Sequence, residues 1–501
     1  MWLKFRRIEV VSLKANEVDV LIIGAGISGI GAAFHLQKNC PDKSYAVIEA
    51  RSAVGGTWDL FRYPGIRSDS DMYTFGFNFK PWRSAKAISP GEDIRAYINE
   101  ASQENGIDKH ILFEHKVISA NWDSKTARWH TTVLDIKTNQ ECLYVSRFFY
   151  SCAGYYNYEK GYTPTFKGSE NFNGTVIHPQ HWPQDLDYSD KNVVVIGSGA
   201  TAVTLVPSMA ETAKHVTMLQ RSPSYIAARP GKDVFADVMR KYFPAKLAYS
   251  VSRWKNILIN MFTYTLARRR PELVKKAIRN GALDILGEDY PIDEHFKPSY
   301  QPWDQRVCLV PDGDLFQSIK NGSASMVTDH IDSFTVNGIK LQSGNEIDAD
   351  IIVTATGLEI SVLGNYQLNI DDRPIQLSES YCYKGMMLSG LPNFAFSMGY
   401  TNASWTLKSD LIAQYVCRLI KHMDKHQFQF CEPVVPAEGI EDEPIIDFNS
   451  SYIIRALDSL PKQGTTKPWK LYQNYIFDRI SLNYTSVVDE HINFANVSTT
   501  E

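Results

Sequence analysis

Two glycine-rich turns carry the clearest chemistry in the sequence, Gly24-Ala25-Gly26-Ile27-Ser28-Gly29 and Gly197-Ser198-Gly199-Ala200-Thr201-Ala202. Glycines at this spacing let the backbone turn tightly and approach a pyrophosphate closely. The phosphate then rests on free N–H groups at the start of the next helix. After the first turn, the run Tyr45-Ala46-Val47-Ile48 ends in Glu49, an acid placed to accept from ribose hydroxyls. After the second, the run Val216-Thr217-Met218-Leu219 ends in Gln220-Arg221-Ser222, and Ala202 replaces the third glycine. An acid at that point would repel a 2′-phosphate, whereas Arg221 pairs with it. The expectation is therefore two dinucleotides, the second of them NADPH.

Such turns work only between a strand and a helix. Val18-Asp19-Val20-Leu21-Ile22-Ile23 and Lys191-Asn192-Val193-Val194-Val195-Ile196 read as buried parallel strands, each followed by a helical stretch. The first helix is expected over Ile30 to Gln37, and Pro207 should kink or end the second. At 501 residues the chain exceeds one ordinary hydrophobic core. A net charge of −4 gives no electrostatic case for nucleic acid. The seven cysteines are scattered, with no C-x-x-C pair, which speaks against a zinc site or redox dithiol and for a reducing, cytoplasmic setting. No run is long and apolar enough to cross a membrane. Residues 1–16 lack the apolar stretch of a signal peptide and are expected to be a flexible extension. The basic cluster Arg268-Arg269-Arg270, Lys275, Lys276 and Arg279 suits a solvated helix face, with peripheral membrane contact as the alternative.

Between the two turns lies Phe172-Asn173-Gly174-Thr175-Val176-Ile177-His178-Pro179-Gln180-His181-Trp182-Pro183. This F-x-G-x-x-x-H-x-x-x-W-P spelling resembles the fingerprint of type I Baeyer–Villiger monooxygenases, FAD- and NADPH-dependent flavoenzymes. A second stretch, Gly55-Gly56-Thr57-Trp58-Asp59-Leu60-Phe61-Arg62-Tyr63-Pro64-Gly65-Ile66-Arg67-Ser68-Asp69, is similar to another family signature. From about Val18 to Phe494 the chain looks most like the bacterial members that activate thioamide prodrugs. Gly399 to Lys408 contributes to that match.

The resemblance implies the rest of the site. Gly24, Gly26, Ser28, Gly29, Glu49, Asp69, Val117 and the backbone of Thr57, Trp58, Asp59 and Leu60 should hold FAD. Arg67, Ser68, Asp69, the turn Gly197, Ser198, Gly199, Ala200, Thr201, Ala202 with Val203 and Thr204, and Arg221 with Ser222 should hold NADPH. Arg306 would stabilise the anionic C4a-peroxyflavin that attacks a ketone to give an ester or lactone, with Asp69 orienting it. A guanidinium suits this task because it stays charged at any working pH. Many family members carry a lysine just before this arginine; here it is Gln305. His178 is expected either to tie the linker by hydrogen bonds or to act in acid/base chemistry, and Gly174 to adopt a backbone conformation closed to other residues. Sulfide and thioamide oxygenation is implied as well.

The fold class is α/β, with two Rossmann-like dinucleotide-binding domains and a helical insertion. The FAD domain is expected at 17–154 and 350–501. The NADPH domain is expected at 155–232 and 301–349, its linker at 172–183, and the insertion at 233–300. The run Asp350 to Gly357 would be where the chain returns to the FAD domain. The nearest rival is a flavin-containing monooxygenase that makes only S- or N-oxides. A disulfide reductase lacks its paired cysteines here, and a non-catalytic flavoprotein would have no use for Asp69, Arg306 and the linker together. Sequence leaves the natural substrate and the oligomeric state open.

Overall fold

The computed structural model describes residues 15–446 and 450–497. Of the expected extension at 1–16, only Ala15 and Asn16 fall within the described residues.

Asn16–Ile23 is a strand whose last four residues are buried. It pairs in parallel with Tyr45–Ile48 on one side and with Gln140–Ser151 on the other. The helix Ile27–Asn39 crosses between the first two strands. The second half of Gln140–Ser151 also pairs with Phe394–Phe396, so a distant segment completes this sheet. Its first half pairs with Arg128–Asp135, which continues to His115–Asp123 and then Gln367–Ile370. Helix Trp405–His426 packs along helix Ile27–Asn39. A buried hydrogen bond of 2.5 Å between His35 Nε2 and Asp410 Oδ1 ties the two.

The second sheet has five parallel strands in the order Ala324–Thr328, His215–Gln220, Asn192–Ile196, Ile351–Thr354, Thr175–Ile177. This corrects the boundary expected at 349/350. Ile351–Thr354 sits beside Asn192–Ile196, and the chain turns back to the first sheet only after Gly357. All four of its residues are buried. Such a strand suits the middle of either parallel sheet, so periodicity alone cannot assign it. Thr175–Ile177, inside the linker, forms the edge of the same sheet. The helix after the second glycine turn runs Ala200–Met209, and the chain stays helical for two residues past Pro207, which lies inside it.

The insertion consists of helices Val234–Tyr242, Ala245–Arg269 and Pro271–Leu286. Its long helix is anchored on the first unit by buried Arg253. The Nη1 of Arg253 donates to the carbonyls of Tyr73 (2.8 Å) and Gly76 (2.7 Å), at the C-terminal end of helix Met72–Phe75. Helix C-terminal carbonyls carry partial negative charge, so a guanidinium is well matched there. Among the described residues no helix is long and apolar enough to cross a membrane, and no three-residue group of His, Cys, Asp or Glu is arranged to hold a metal.

Candidate active site

The first glycine turn is as tight as its spelling requires. Gly24 has φ +98°, and a Cβ there would lie 2.7 Å from the carbonyl oxygen of Cys152. A Cβ on Gly29 would lie 1.8 Å from the Gly24 oxygen. Gly26 leaves the N-terminus of helix Ile27–Asn39 bare of side chain. Glu49 is buried behind this turn. Its Oε2 accepts from the Ala25 N–H at 2.6 Å and its Oε1 from the Arg51 N–H at 2.8 Å. Burial raises its pKa, with both N–H groups and the Arg51 charge opposing that rise.

A cavity of about 550 Å³ opens between the two units, within the range of cofactor and ligand sites. Gly24, Gly26, Ser28, Glu49, Thr57, Trp58, Arg67, Ser68, Asp69 and Val117 line it from the first unit. Ala200, Thr201, Val203, Thr204 and Arg306 line it from the second. Sequence positions far apart thus converge on one space.

Several expected residues do not reach it. Asp59 is buried under an arginine cluster: Arg51 donates to its Oδ2 from Nε at 2.9 Å and Nη2 at 2.7 Å, and Arg62 and Arg95 also pair with it. Leu60 packs into the core of the second unit. The resemblance placed the backbone of the helical turn Thr57–Leu60 at the cofactor, and the side chains of these two residues face away from the cavity. Gly29 is consumed by packing, and so is Gly197, whose Cβ would lie 2.3 Å from the Ala355 oxygen. Ala202 is fully buried, so its methyl fills space within the fold. Ser198 Oγ lies 2.8 Å from Ser224 Oγ, and Gly199 has no atom within 4 Å of a built Cβ. Arg221 and Ser222 are exposed just beyond strand His215–Gln220.

Arg306 and Asp69 form an ion pair inside the cavity, with side chains 35% and 45% exposed. Burial works against the guanidinium's charge. Asp69 and the surrounding Tyr155, Tyr452 and Tyr156 outweigh it, and the pKa stands above its ordinary value. Arg306 is therefore a permanent cation facing open space. Arg67 pairs across the two units with Asp314, Nη2 to Oδ1 at 3.3 Å.

An aromatic wall, which spacing along the chain does not reveal, faces this pair. Tyr155 stacks on Trp405 with ring centroids 5.1 Å apart, and its hydroxyl meets that of Tyr156 at 2.6 Å. The Trp405 indole N–H donates to Ser28 Oγ at 2.7 Å. The available signal was the Tyr155-Tyr156 pair directly after Gly154, which has φ +76° and re-aims the chain as the strand ends.

His178 is not among the cavity-lining residues, and its hydrogen bonds are those of the linker tie, the first of the two roles expected for it. Its Nδ1 accepts from the Gln180 N–H at 3.2 Å, which leaves the proton on Nε2 to be donated to the Gly357 carbonyl at 3.1 Å. Burial lowers its pKa, so it stays neutral. It clasps the linker to the segment where the chain leaves the second sheet. For Gly174 the expectation is corrected: it is not among the residues with positive φ. Its constraint is close approach, since a Cβ would lie 2.3 Å from the Asp350 oxygen.

The family model described as flavin-binding monooxygenase-like matches residues 87–421. A model of an NAD(P)-binding Rossmann-like domain matches 22–87. The FAD-containing monooxygenase EthA of Mycolicibacterium smegmatis is 52% identical over 478 residues, covering 95% of this chain and 96% of the relative. EthA of Mycobacterium tuberculosis is 50% identical over 481 residues, covering 96% and 98%. The probable FAD-binding monooxygenase AlmA of Acinetobacter baylyi is 48% identical over 486 residues, covering 96% of each. Among solved structures, an oxidized steroid monooxygenase bound to NADP superposes with a TM-score of 0.75 at 21% identity, over 96% of this chain and all of that one. Closed cyclohexanone monooxygenase gives 0.69 at 19% identity, over 84% and 87%. With these matches running through both glycine turns, the linker and the Arg306 segment, the chain belongs to the flavin-binding monooxygenase-like family.

Proposed function

We propose that this chain is an FAD- and NADPH-dependent monooxygenase of the Baeyer–Villiger type, inserting one oxygen of O₂ next to a ketone carbonyl to form an ester or lactone. The observation that carries the reading is the Arg306–Asp69 ion pair, a fixed cation open to the cavity where both units meet. The residues present fit the two dinucleotides. The bare helix start at Gly26 and the buried carboxylate of Glu49 suit the pyrophosphate and ribose of FAD. The empty surroundings of Gly199 and the helix start at Ala200 suit the pyrophosphate of NADPH, with Arg221 and Ser222 for its 2′-phosphate. Bound there, FAD would supply the redox chemistry that links NADPH oxidation to O₂ activation.

The chain's own residues do the rest. Arg306 holds its guanidinium toward negative charge that develops at the substrate carbonyl as it is attacked. Asp69 positions Arg306 and balances its charge between turnovers. Tyr155, Tyr156 and Trp405 exclude water and give an apolar ketone a surface to rest on. The family resemblance extends the reading to sulfides and thioamides. Seven free thiols, six of them buried, support a cytoplasmic setting.

The test is product analysis with 2-decanone and with a thioether, in the presence of NADPH and O₂. Ester from the ketone is expected. Sulfoxide from the thioether with no ester from the ketone would remove the Baeyer–Villiger reading and leave an S-/N-oxygenating flavoprotein. An absence of both products would remove the oxygenase reading.

A further inference from the structure

We propose that the helical insertion carries a docking face for the surface of an anionic lipid bilayer. The seven residues 241–247, Lys-Tyr-Phe-Pro-Ala-Lys-Leu, join its first two helices, and every one is exposed. Tyr242 is 67% and Phe243 46% exposed, and the preceding helix adds Val234 at 72%. On helix Ala245–Arg269, Leu247, Leu258 and Phe262 are separated by about three turns and then about one, so they form a single outer stripe. Leu258 is 51% and Phe262 66% exposed. Single exposed apolar side chains are ordinary, but a stripe and a loop tip of them on one element mark an interaction face.

The opposite face of the same helix is engaged. Ile257 packs with Tyr400 and Leu407, and Arg253 is held by the carbonyls of the first unit. The outer stripe is therefore presented on a rigid, anchored helix.

Charge selects the partner. Lys241 and Lys246 stand exposed at one end of the stripe, and Arg269 and Arg270 at the other. The acids in the same region, Asp233, Asp237 and Glu272, are engaged by Lys255, Arg240 and Lys275. In a chain of net charge −4, this face is locally cationic. Apolar side chains between lysines and arginines match the interface of an anionic bilayer, where the rings enter the acyl boundary and the ammonium groups meet the headgroups. A two-fold contact between copies of this face would bring like cations together, which disfavours self-association. Because Tyr400 both packs against Ile257 and lines the cavity, a bilayer-dissolved substrate would be delivered beside the active site.

The test is co-sedimentation of the full chain with vesicles of phosphatidylcholine alone and of phosphatidylcholine with phosphatidylglycerol. It needs no turnover, so its outcome is independent of the proposed reaction. Wild type should sediment with the mixed vesicles and be released by high salt. Lys241→Glu with Lys246→Glu should weaken binding by at least about tenfold, and so should Leu258→Ser with Phe262→Ser. Melting curves verify that both exposed-residue variants stay folded. Wild type remaining in the supernatant, or both variants sedimenting as wild type does, would overturn the proposal. So would a loss of dimer mass in Leu258→Ser/Phe262→Ser without vesicle binding by wild type, which would assign the face to a second copy of the chain.

Discussion

Replacing Arg306 by alanine removes the only cation paired with Asp69 in the described structure. At roughly 4 Å and an effective dielectric of about 20, a unit charge gains at most about 4 kcal/mol from the guanidinium. The Arg306 side chain is 35% exposed and that of Asp69 45%, so water screens part of this. About 2–3 kcal/mol should remain, or roughly 30- to 150-fold in rate. Arg306→Lys keeps the charge and loses the fork, so it should fall between wild type and Arg306→Ala. The assay follows ester from 2-decanone by gas chromatography, alongside NADPH consumption and hydrogen peroxide release. FAD binding and flavin reduction by NADPH should persist while ester falls and peroxide rises. Ester formation by Arg306→Ala at the wild-type rate, with FAD and NADPH still bound, would refute the role given to this cation.

Arg221→Ala should weaken NADPH by about 10- to 100-fold and leave NADH unchanged. Steady-state KM for each nucleotide measures this, and an equal loss for both would reject the 2′-phosphate contact. Burial keeps the folded pKa of His178 below its ordinary 6.5. The unfolded chain therefore binds more protons than the folded chain as pH falls from 6.5 toward the folded value, and stability drops through that window. His178→Gln should narrow the difference in melting temperature between about pH 7.5 and about pH 5.5, with an unchanged difference counting against the neutral clasp. Gly174→Ala should destabilise by about 1–3 kcal/mol, because its methyl group meets the Asp350 oxygen. A melting curve identical to wild type would show that the close approach is unimportant.

The sequence alone determined what depends on neighbours along the chain. The Gly24 and Gly197 turns, the apolar strands before them, Glu49 at the end of the next strand and the helix-rich insertion all follow from local spacing, because a turn and its strand are built from adjacent residues. The family resemblance added Asp69 and Arg306, which local spacing could not have joined. Tertiary structure decided how distant segments close on one another. It assigned Ile351–Thr354 to the second sheet, because a strand buried on both faces fits either. It turned Asp59 toward arginines and away from the cavity, stacked Tyr155 on Trp405, and gave His178 its partner at Gly357. Each of these depends on which atoms arrive opposite one another once the chain has folded, information that residue type and spacing do not contain.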